Sequence, residues 1–262
     1  MTYNTIEFVI DDGVAILTLN RPDNLNSFNG KMHEEVRAAL QEVRNSESIR
    51  CLLLTGKGRG FCTGQDLNER KFSSEQAPDL CESLTLNYNP LIRLITLLDV
   101  PVICAVNGVA AGVGANIALN CDIVLAARSA SFIQSFCKIG LIPDSGGTWI
   151  LLRLVGLPRA RGLALLGDRI SAEQAEQWGM IWRCLDDDKL MDEALAMARH
   201  LATQPSQGLA LIKKALRAST ANSLDEQLEL KARLQRVAGR TEDYREEAMA
   251  FLEKRKPVFK GK

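Results

Sequence analysis

Histidine is nearly absent from this chain: His33 and His200 are the only two in 262 residues, and neither stands in the context that the base of a nucleophile would need. A Ser-His-Asp or Cys-His hydrolase is therefore excluded on its chemistry. Net charge is also missing, with 32 Lys plus Arg against 32 Asp plus Glu, so no overall basic field exists to draw in nucleic acid. The seven cysteines include no Cys-x-x-Cys pair and no zinc spacing. Free thiols in a reducing compartment are expected, without a disulfide framework or a metal site. No apolar run is long enough to span a bilayer, and the start M-T-Y-N-T-I-E-F lacks both the basic, apolar make-up of a secretory signal and the arginines of a mitochondrial presequence. A cytoplasmic protein with no membrane partner is the expectation. Glutamate is missing from the middle of the chain: none occurs between Glu82 and Glu173, where the only aspartates are Asp99, Asp122, Asp144 and Asp168. Water activation by a pair of carboxylates is not available there.

What is present is an alternation of buried strands and glycine-rich turns. Val102 to Val106 is a short apolar run with β-branched residues, the pattern of a strand covered on both faces. Asn107 and Gly108 break it. Gly112 and Gly114 stand where a helix would begin, and the first N–H groups of a helix have no internal partners, so they can receive a developing negative charge. A second strand follows from Asp122. Upstream, Cys51 to Thr55 is another apolar strand, and it ends in G-K-G-R-G-F-C-T-G-Q-D-L from Gly56 to Leu67. This loop is not a nucleotide fingerprint. Phe61 occupies the third glycine position of the dinucleotide motif, and Gly58 follows Lys57 where a phosphate loop needs Ser or Thr. Strands and helices alternate up to about His200, beyond which Gly208 to Ser219 and Ser223 to Ala238 read as helices alone. The expected fold is α/β, with a core over residues 1–199 and a helical C-terminal region over 200–262.

The sharpest local feature is Gly140 to Thr148, G-L-I-P-D-S-G-G-T. Pro143 fixes φ, and Gly146 with Gly147 admits backbone conformations closed to other residues, so the Asp144 carboxylate between them gains a defined direction. Phe136, Ile139, Leu141 and Ile142 are expected to wall it with apolar surface and to disfavour its charged form. Asp99 precedes a strand, Asp122 opens one and Asp168 lies in a helix-ending turn, so each reads as structural. Asp144 is left as the candidate acid/base. D-S-G-G also matches the nucleophile segment of trypsin-like proteases, but the α/β alternation and the missing histidine base exclude that reading. Both histidines are expected at the surface, and Trp149 either lines a pocket or fills the core.

Four motifs in order, L-N-R-P…L-N-S at Leu19 to Ser27, G-F-C-T-G-Q-D-L at Gly60 to Leu67, the Asn107 to Ile123 segment and I-P-D-S-G-G-T at Ile142 to Thr148, resemble the crotonase, or enoyl-CoA hydratase/isomerase, superfamily. Within it the likeness is greatest to the group of ring-epoxide isomerases of phenylacetate catabolism. The resemblance implies a crotonase-like ββα spiral core with a C-terminal helical oligomerisation region. It also implies an acyl-CoA thioester substrate, with CoA part of the substrate and no separate cofactor. The backbone N–H groups of Gln65 and Val113 would bind the thioester oxygen as an oxyanion hole. CoA would run along the loops bearing Asn24, Leu25, Asp66 and Leu67. Asn116 and Phe136 take the places of the two glutamates of a hydratase and would border the substrate, as Leu84, Tyr88 and Trp149 are presumed to do. Phe259 and Lys262 would reach the CoA of a neighbouring subunit in a homotrimer or dimer of trimers.

The implied reaction is isomerisation of ring 1,2-epoxyphenylacetyl-CoA to oxepin-CoA through a thioester enolate, with Asp144 moving a proton. An electrocyclic opening with less proton transfer is the other route. The same parts would serve a 3-enoyl to 2-enoyl-CoA isomerase acting on aliphatic or dicarboxylic chains. A noncatalytic crotonase-fold binding or scaffold protein is the alternative of another class. The intact Asp144 and both glycine turns stand against it, and near-zero charge stands against a nucleic-acid partner.

Overall fold

The computed structural model describes residues 2–69 and 79–262. Among these residues the strands are β1 (Ile6–Asp11), β2 (Val14–Leu19), β3 (Cys51–Gly56), β4 (Gly60–Cys62), β5 (Val102–Val106), β6 (Val109–Ala111), β7 (Ile123–Ala127), β8 (Ser131–Ile133), β9 (Arg169–Ser171) and β10 (Arg183–Leu185). The helices are α1 (Gly30–Asn45), α2 (Leu80–Ser83), α3 (Asn89–Leu97), α4 (Val113–Leu119), α5 (Gly147–Leu166), α6 (Ala172–Gln177), α7 (Leu190–Ala202), α8 (Ser206–Ala218), α9 (Leu224–Ala238) and α10 (Glu242–Glu253). One sheet has the order β1-β2-β3-β5-β7-β10 and the other β4-β6-β8-β9.

The two orders together describe a spiral. The consecutive pairs β3/β4, β5/β6 and β7/β8 each give one strand to each sheet, and β3, β5 and β7 lie parallel in the first sheet as β4, β6 and β8 do in the second. Every residue of β3 and β5 is buried, as their unbroken apolar runs imply. The edge pair β1/β2 is antiparallel and turns through Asp12 and Gly13, both at positive φ (45° and 78°), the conformation that Asp-Gly favours in a tight hairpin. Asn107, between β5 and β6, staples two turns: its Nδ2 donates to the Gly58 carbonyl at 2.8 Å, and its Oδ1 accepts from Gly56 N–H at 3.2 Å. Gly108 beside it has no room for a side chain, because a Cβ would collide with the Arg59 carbonyl oxygen.

Helix α1 begins where the Asn29 side chain accepts a hydrogen bond from Met32 N–H at 2.9 Å. Its Met32, Val36, Ala39, Leu40 and Val43 recur every three or four residues and are buried. Burying Leu40 alone is worth roughly 2 kcal/mol relative to exposure. Helix α5 is broken at Gly156 (φ 73°, ψ 163°), two residues before Pro158.

Beyond Ala202 the described chain is helical, as expected. Helices α8 and α9 bury no residue completely, and Ile212, Leu216, Leu224 and Leu228 are exposed. Helix α7 runs across position 200, so the core passes into the helical region without a break. Lys213 of α8 donates to the Val100 carbonyl at 2.6 Å and pairs with Asp122 at 2.5 Å, which ties the helical region to the entry of β5. Asp122 also accepts from Val102 N–H, in keeping with its structural reading. The C-terminal tail is held on its own chain: Asp243 accepts from the N–H groups of Lys260 and Gly261, and Arg50 donates to the Phe259 carbonyl. No helix among the described residues is long and apolar enough to cross a membrane.

Candidate active site

Three turns meet around the start of α4: those that follow β4 and β6, and the one that leads into α5. The first follows β4. Phe28 forms a parallel bridge to Gln65, with Phe28 N–H donating to the Gly64 carbonyl at 2.7 Å and Asp66 N–H donating to the Phe28 carbonyl at 2.9 Å. That bridge uses the groups flanking Gln65, so the Gln65 N–H is directed to the opposite side of the segment. The second turn follows β6. Gly112 takes φ 53° and caps α4, which makes Val113 the first helical residue and leaves its N–H without an intrahelical partner. The two turns touch: a Cβ on Gly64 (φ 99°) would lie 3.6 Å from the Val113 nitrogen. Gly114 is held against β4, since a Cβ there would collide with the Cys62 carbonyl oxygen. Burial pushes the Cys62 thiol up to about 12, so it stays protonated and is no nucleophile.

The third turn carries Asp144. Ser145 and Gly146 both have positive φ (49° and 79°), and Gly147 N–H donates to the Asp144 carbonyl at 2.8 Å where α5 starts. Ser145 is buried, and its Oγ donates to Asp144 Oδ1 at 2.9 Å, which fixes the half-buried carboxylate. The apolar wall expected around it is incomplete in the single chain. Phe136 is buried and packs on Gly112, where a Cβ would lie 3.6 Å from the ring, but Ile139 and Ile142 are 58% and 79% exposed. They sit on a surface 3-10 turn and its extension rather than on a packed element.

Asn116 is fully buried behind the Asp144 turn. Its Nδ2 donates to the Asp144 carbonyl at 2.7 Å, and its Oδ1 accepts from Gln134 Nε2 at 2.8 Å. Both ends of its amide are thus engaged by the protein, and one of them holds the Asp144 turn. Asp66, expected beside CoA, is buried in an ion pair with Arg21 at 2.8 Å and also accepts from Asn68 N–H at 3.1 Å. Burial would raise its pKa, yet hydrogen bonds from Arg21 and Asn68, with the Arg21 charge, hold it below the usual carboxylate value. Asn24 and Leu67 are exposed. Leu25 is half-buried with φ 47°, and its carbonyl accepts from Thr63 N–H at 3.1 Å.

Other expectations are corrected. His33 is no surface residue: it is 6% exposed, between the rings of Phe28 (4.9 Å) and Tyr88 (4.4 Å), because it lies on the edge of the buried α1 stripe that meets those rings. His200 is exposed as expected. Trp149 is part-exposed and lies under the Arg153 guanidinium at 4.1 Å, on the outside of α5 rather than in the core. Sequence reading assigned no role to Asn26, although the motif L-N-S contains it. It is fully buried at φ 56°, accepts from Arg21 N–H at 2.8 Å and donates to the carbonyls of Lys57 and Gly60. Arg21, Asn120 and Gln134 were likewise missed.

The assembled site offers two backbone amides from converging turns and one carboxylate on a third. That set can stabilise an oxyanion and move a proton. Residues 9–262 match the enoyl-CoA hydratase/isomerase family. The chain is 57% identical to the 1,2-epoxyphenylacetyl-CoA isomerase of Escherichia coli K12, over 98% of this chain and all of the relative. It is 46% identical to a probable enoyl-CoA hydratase of Rhodobacter capsulatus over the full length of both, and 32% identical to the trans-2-decenoyl-[acyl-carrier-protein] isomerase of Streptococcus mutans, again over the full length of both. A solved putative enoyl-CoA hydratase/isomerase from Mycobacterium abscessus superposes with a TM-score of 0.93 at 33% identity, covering 98% of this chain and all of that one. The fold is thus the crotonase-like α/β spiral with a helical C-terminal region, and the chain belongs to the enoyl-CoA hydratase/isomerase family.

Proposed function

We propose that this protein is an acyl-CoA isomerase that converts ring 1,2-epoxyphenylacetyl-CoA to oxepin-CoA in phenylacetate catabolism, in the cytoplasm. The observation that carries the reading is the Asp144 carboxylate, held on a turn whose neighbours at the hydratase acid positions are an amide, Asn116, and a phenyl ring, Phe136. A hydratase needs groups to activate water and to protonate the substrate carbon; carbon-to-carbon proton transfer needs one. The relative at 57% identity carries that activity in its name.

In the proposed reaction the Asp144 carboxylate takes the proton from the carbon next to the thioester. The C–H electron pair forms an enolate whose oxygen is received by the N–H groups of Gln65 and Val113, each worth about 3 kcal/mol to the transition state. The enolate pair then forms a double bond to the neighbouring ring carbon and expels the epoxide oxygen from it. As the ring expands, the freed oxygen bonds again to the carbon it left and the bond between the two former epoxide carbons breaks; the electron pair of that bond, spread over the ring double bonds, takes the proton back from Asp144 at a ring carbon, so substrate and product have the same atoms. CoA is part of the substrate and no further cofactor enters. Its path would follow the loops of Asn24, Leu25 and Leu67, with Asp66 supporting them through Arg21. Phe136 would border the acyl group.

Exposed Ile212, Leu216, Leu224 and Leu228 on α8 and α9 support assembly through residues 200–262 into a homotrimer or a pair of trimers. Double-bond isomerisation of aliphatic enoyl thioesters is a second reading, favoured by the likeness to the decenoyl thioester isomerase. Incubating the purified protein with each substrate separates the two: turnover of the epoxide to an isobaric product supports the first, and turnover of the aliphatic 3-enoyl-CoA alone supports the second.

A further inference from the structure

Buried amide side chains hold the Asp144 turn from behind, and the direction of their hydrogen bonds is fixed by the chain itself. Gln134, 3% exposed, donates from Nε2 to Asn116 Oδ1 at 2.8 Å. Asn116 donates from Nδ2 to the Asp144 carbonyl at 2.7 Å. Asn120, also buried, donates from Nδ2 to the Asn116 carbonyl at 2.8 Å and the Ser145 carbonyl at 3.2 Å. Backbone carbonyls only accept, so Asn116 must turn its NH2 group toward Asp144. Only its oxygen is then left for Gln134, which must donate.

Gln134 Oε1 is left buried without a hydrogen-bond partner among the described residues. A methionine at 134 would bury no such orphan, so the presence of an amide there is explained by its donor. The glycine pair completes the arrangement. A Cβ on Gly147 would collide with the Asn116 amide, and one on Gly146 would lie 3.1 Å from Asn120 Nδ2. The glycines therefore make room for the amides as well as shaping the turn.

We propose that Asn116, oriented by Gln134 and joined by Asn120, is the positioning residue for the Asp144 carboxylate, and that position 116 thereby commits the site to a single acid. The residue at 116 must donate to the Asp144 carbonyl. An ionised carboxylate there cannot donate, and it would face that carbonyl with negative charge. This turn and a second acid at 116 exclude one another. The inference rests on Asp144 being the acid/base.

The test compares Asn116→Asp and Gln134→Met, each alone and combined with Asp144→Asn, reading kcat, KM and the pH profile of kcat on the epoxide thioester and on an aliphatic 3-enoyl-CoA. Asn116→Asp is expected to lower kcat by about 10- to 100-fold, the effect of misplacing a catalytic group by about an ångström. KM should change less than about threefold. The acid limb should move to higher pH, because a new carboxylate disfavours ionisation of Asp144. Gln134→Met is expected to lower kcat without moving that limb, and it serves as the test variant should Asn116→Asp not fold. In the Asp144→Asn background neither change should lower the residual rate further, since both act through the carboxylate.

An equal loss in both backgrounds, or an unchanged kcat in either single variant, overturns the positioning role while leaving Asp144 as acid/base. Full activity of Asp144→Asn alone overturns the acid/base reading, and the positioning role falls with it.

Discussion

Replacing His33 with methionine should remove the loss of folding stability that a buried imidazole brings between about pH 6.5 and pH 4. Burial, with the nearby Arg37 charge, lowers the His33 pKa from 6.5 to about 4 in the folded protein. Between those values the unfolded chain binds a proton that the folded chain does not, so stability falls as pH drops from about 6.5 and the loss is complete below about 4. A shift of this size is worth on the order of 3 kcal/mol, of which about 2.5 kcal/mol has been lost by pH 4.5. Methionine does not titrate and fills a similar space between Phe28 and Tyr88. Urea denaturation of both proteins at pH 7.5 and pH 4.5 is the assay. The stability difference between the two pH values should shrink by about 2 to 3 kcal/mol in His33→Met. An equal fall with pH in the two proteins refutes the reasoning and means that the imidazole gains its proton without cost.

Arg21→Met strands the buried Asp66 carboxylate, and a loss of about 3 to 5 kcal/mol in thermal or urea unfolding is expected. The depressed Asp66 pKa makes its contribution present above the ordinary aspartate value and lost as pH falls through the folded one, so the gap between Arg21→Met and wild type should narrow in acid. Gly114→Ala forces a methyl group into the Cys62 carbonyl and shifts the Val113 amide; kcat should fall by about 100- to 1000-fold, read on the same thioester. Lys213→Met removes the cation beside Asp122, a carboxylate whose pKa burial already raises. Unfolding measurements should show about 2 to 4 kcal/mol lost.

The parts of the site that one segment determines could be read from sequence. Val102 to Val106 is apolar throughout because both of its faces are covered, and the Asp144 turn is written in Pro143, Gly146 and Gly147. The three-residue strands β6, β8 and β9 could not be read, since their pairing is made entirely by distant segments and three residues show no period. His33 was misplaced for a related reason. It adjoins the α1 stripe, and what buries it is Tyr88, 55 positions away in the chain. Asp66 and Asn116 were expected to border the substrate, but whether a side chain faces a ligand or the protein depends on partners such as Arg21 and Gln134, which come from other elements. Ile139 and Ile142 read as a wall because they are apolar; short turns at the surface leave such residues exposed.

The central claim is that Asp144 moves a proton on an acyl-CoA thioester held by two backbone amides. Its most direct test is turnover of ring 1,2-epoxyphenylacetyl-CoA in deuterated water by the wild type and by Asp144→Asn, with products separated and weighed by mass-resolved chromatography. The account expects an isobaric product in ordinary water, deuterium gained in heavy water, and loss of turnover by at least about 100-fold in the variant. A variant that retains full turnover, with no deuterium entering the product, would contradict it.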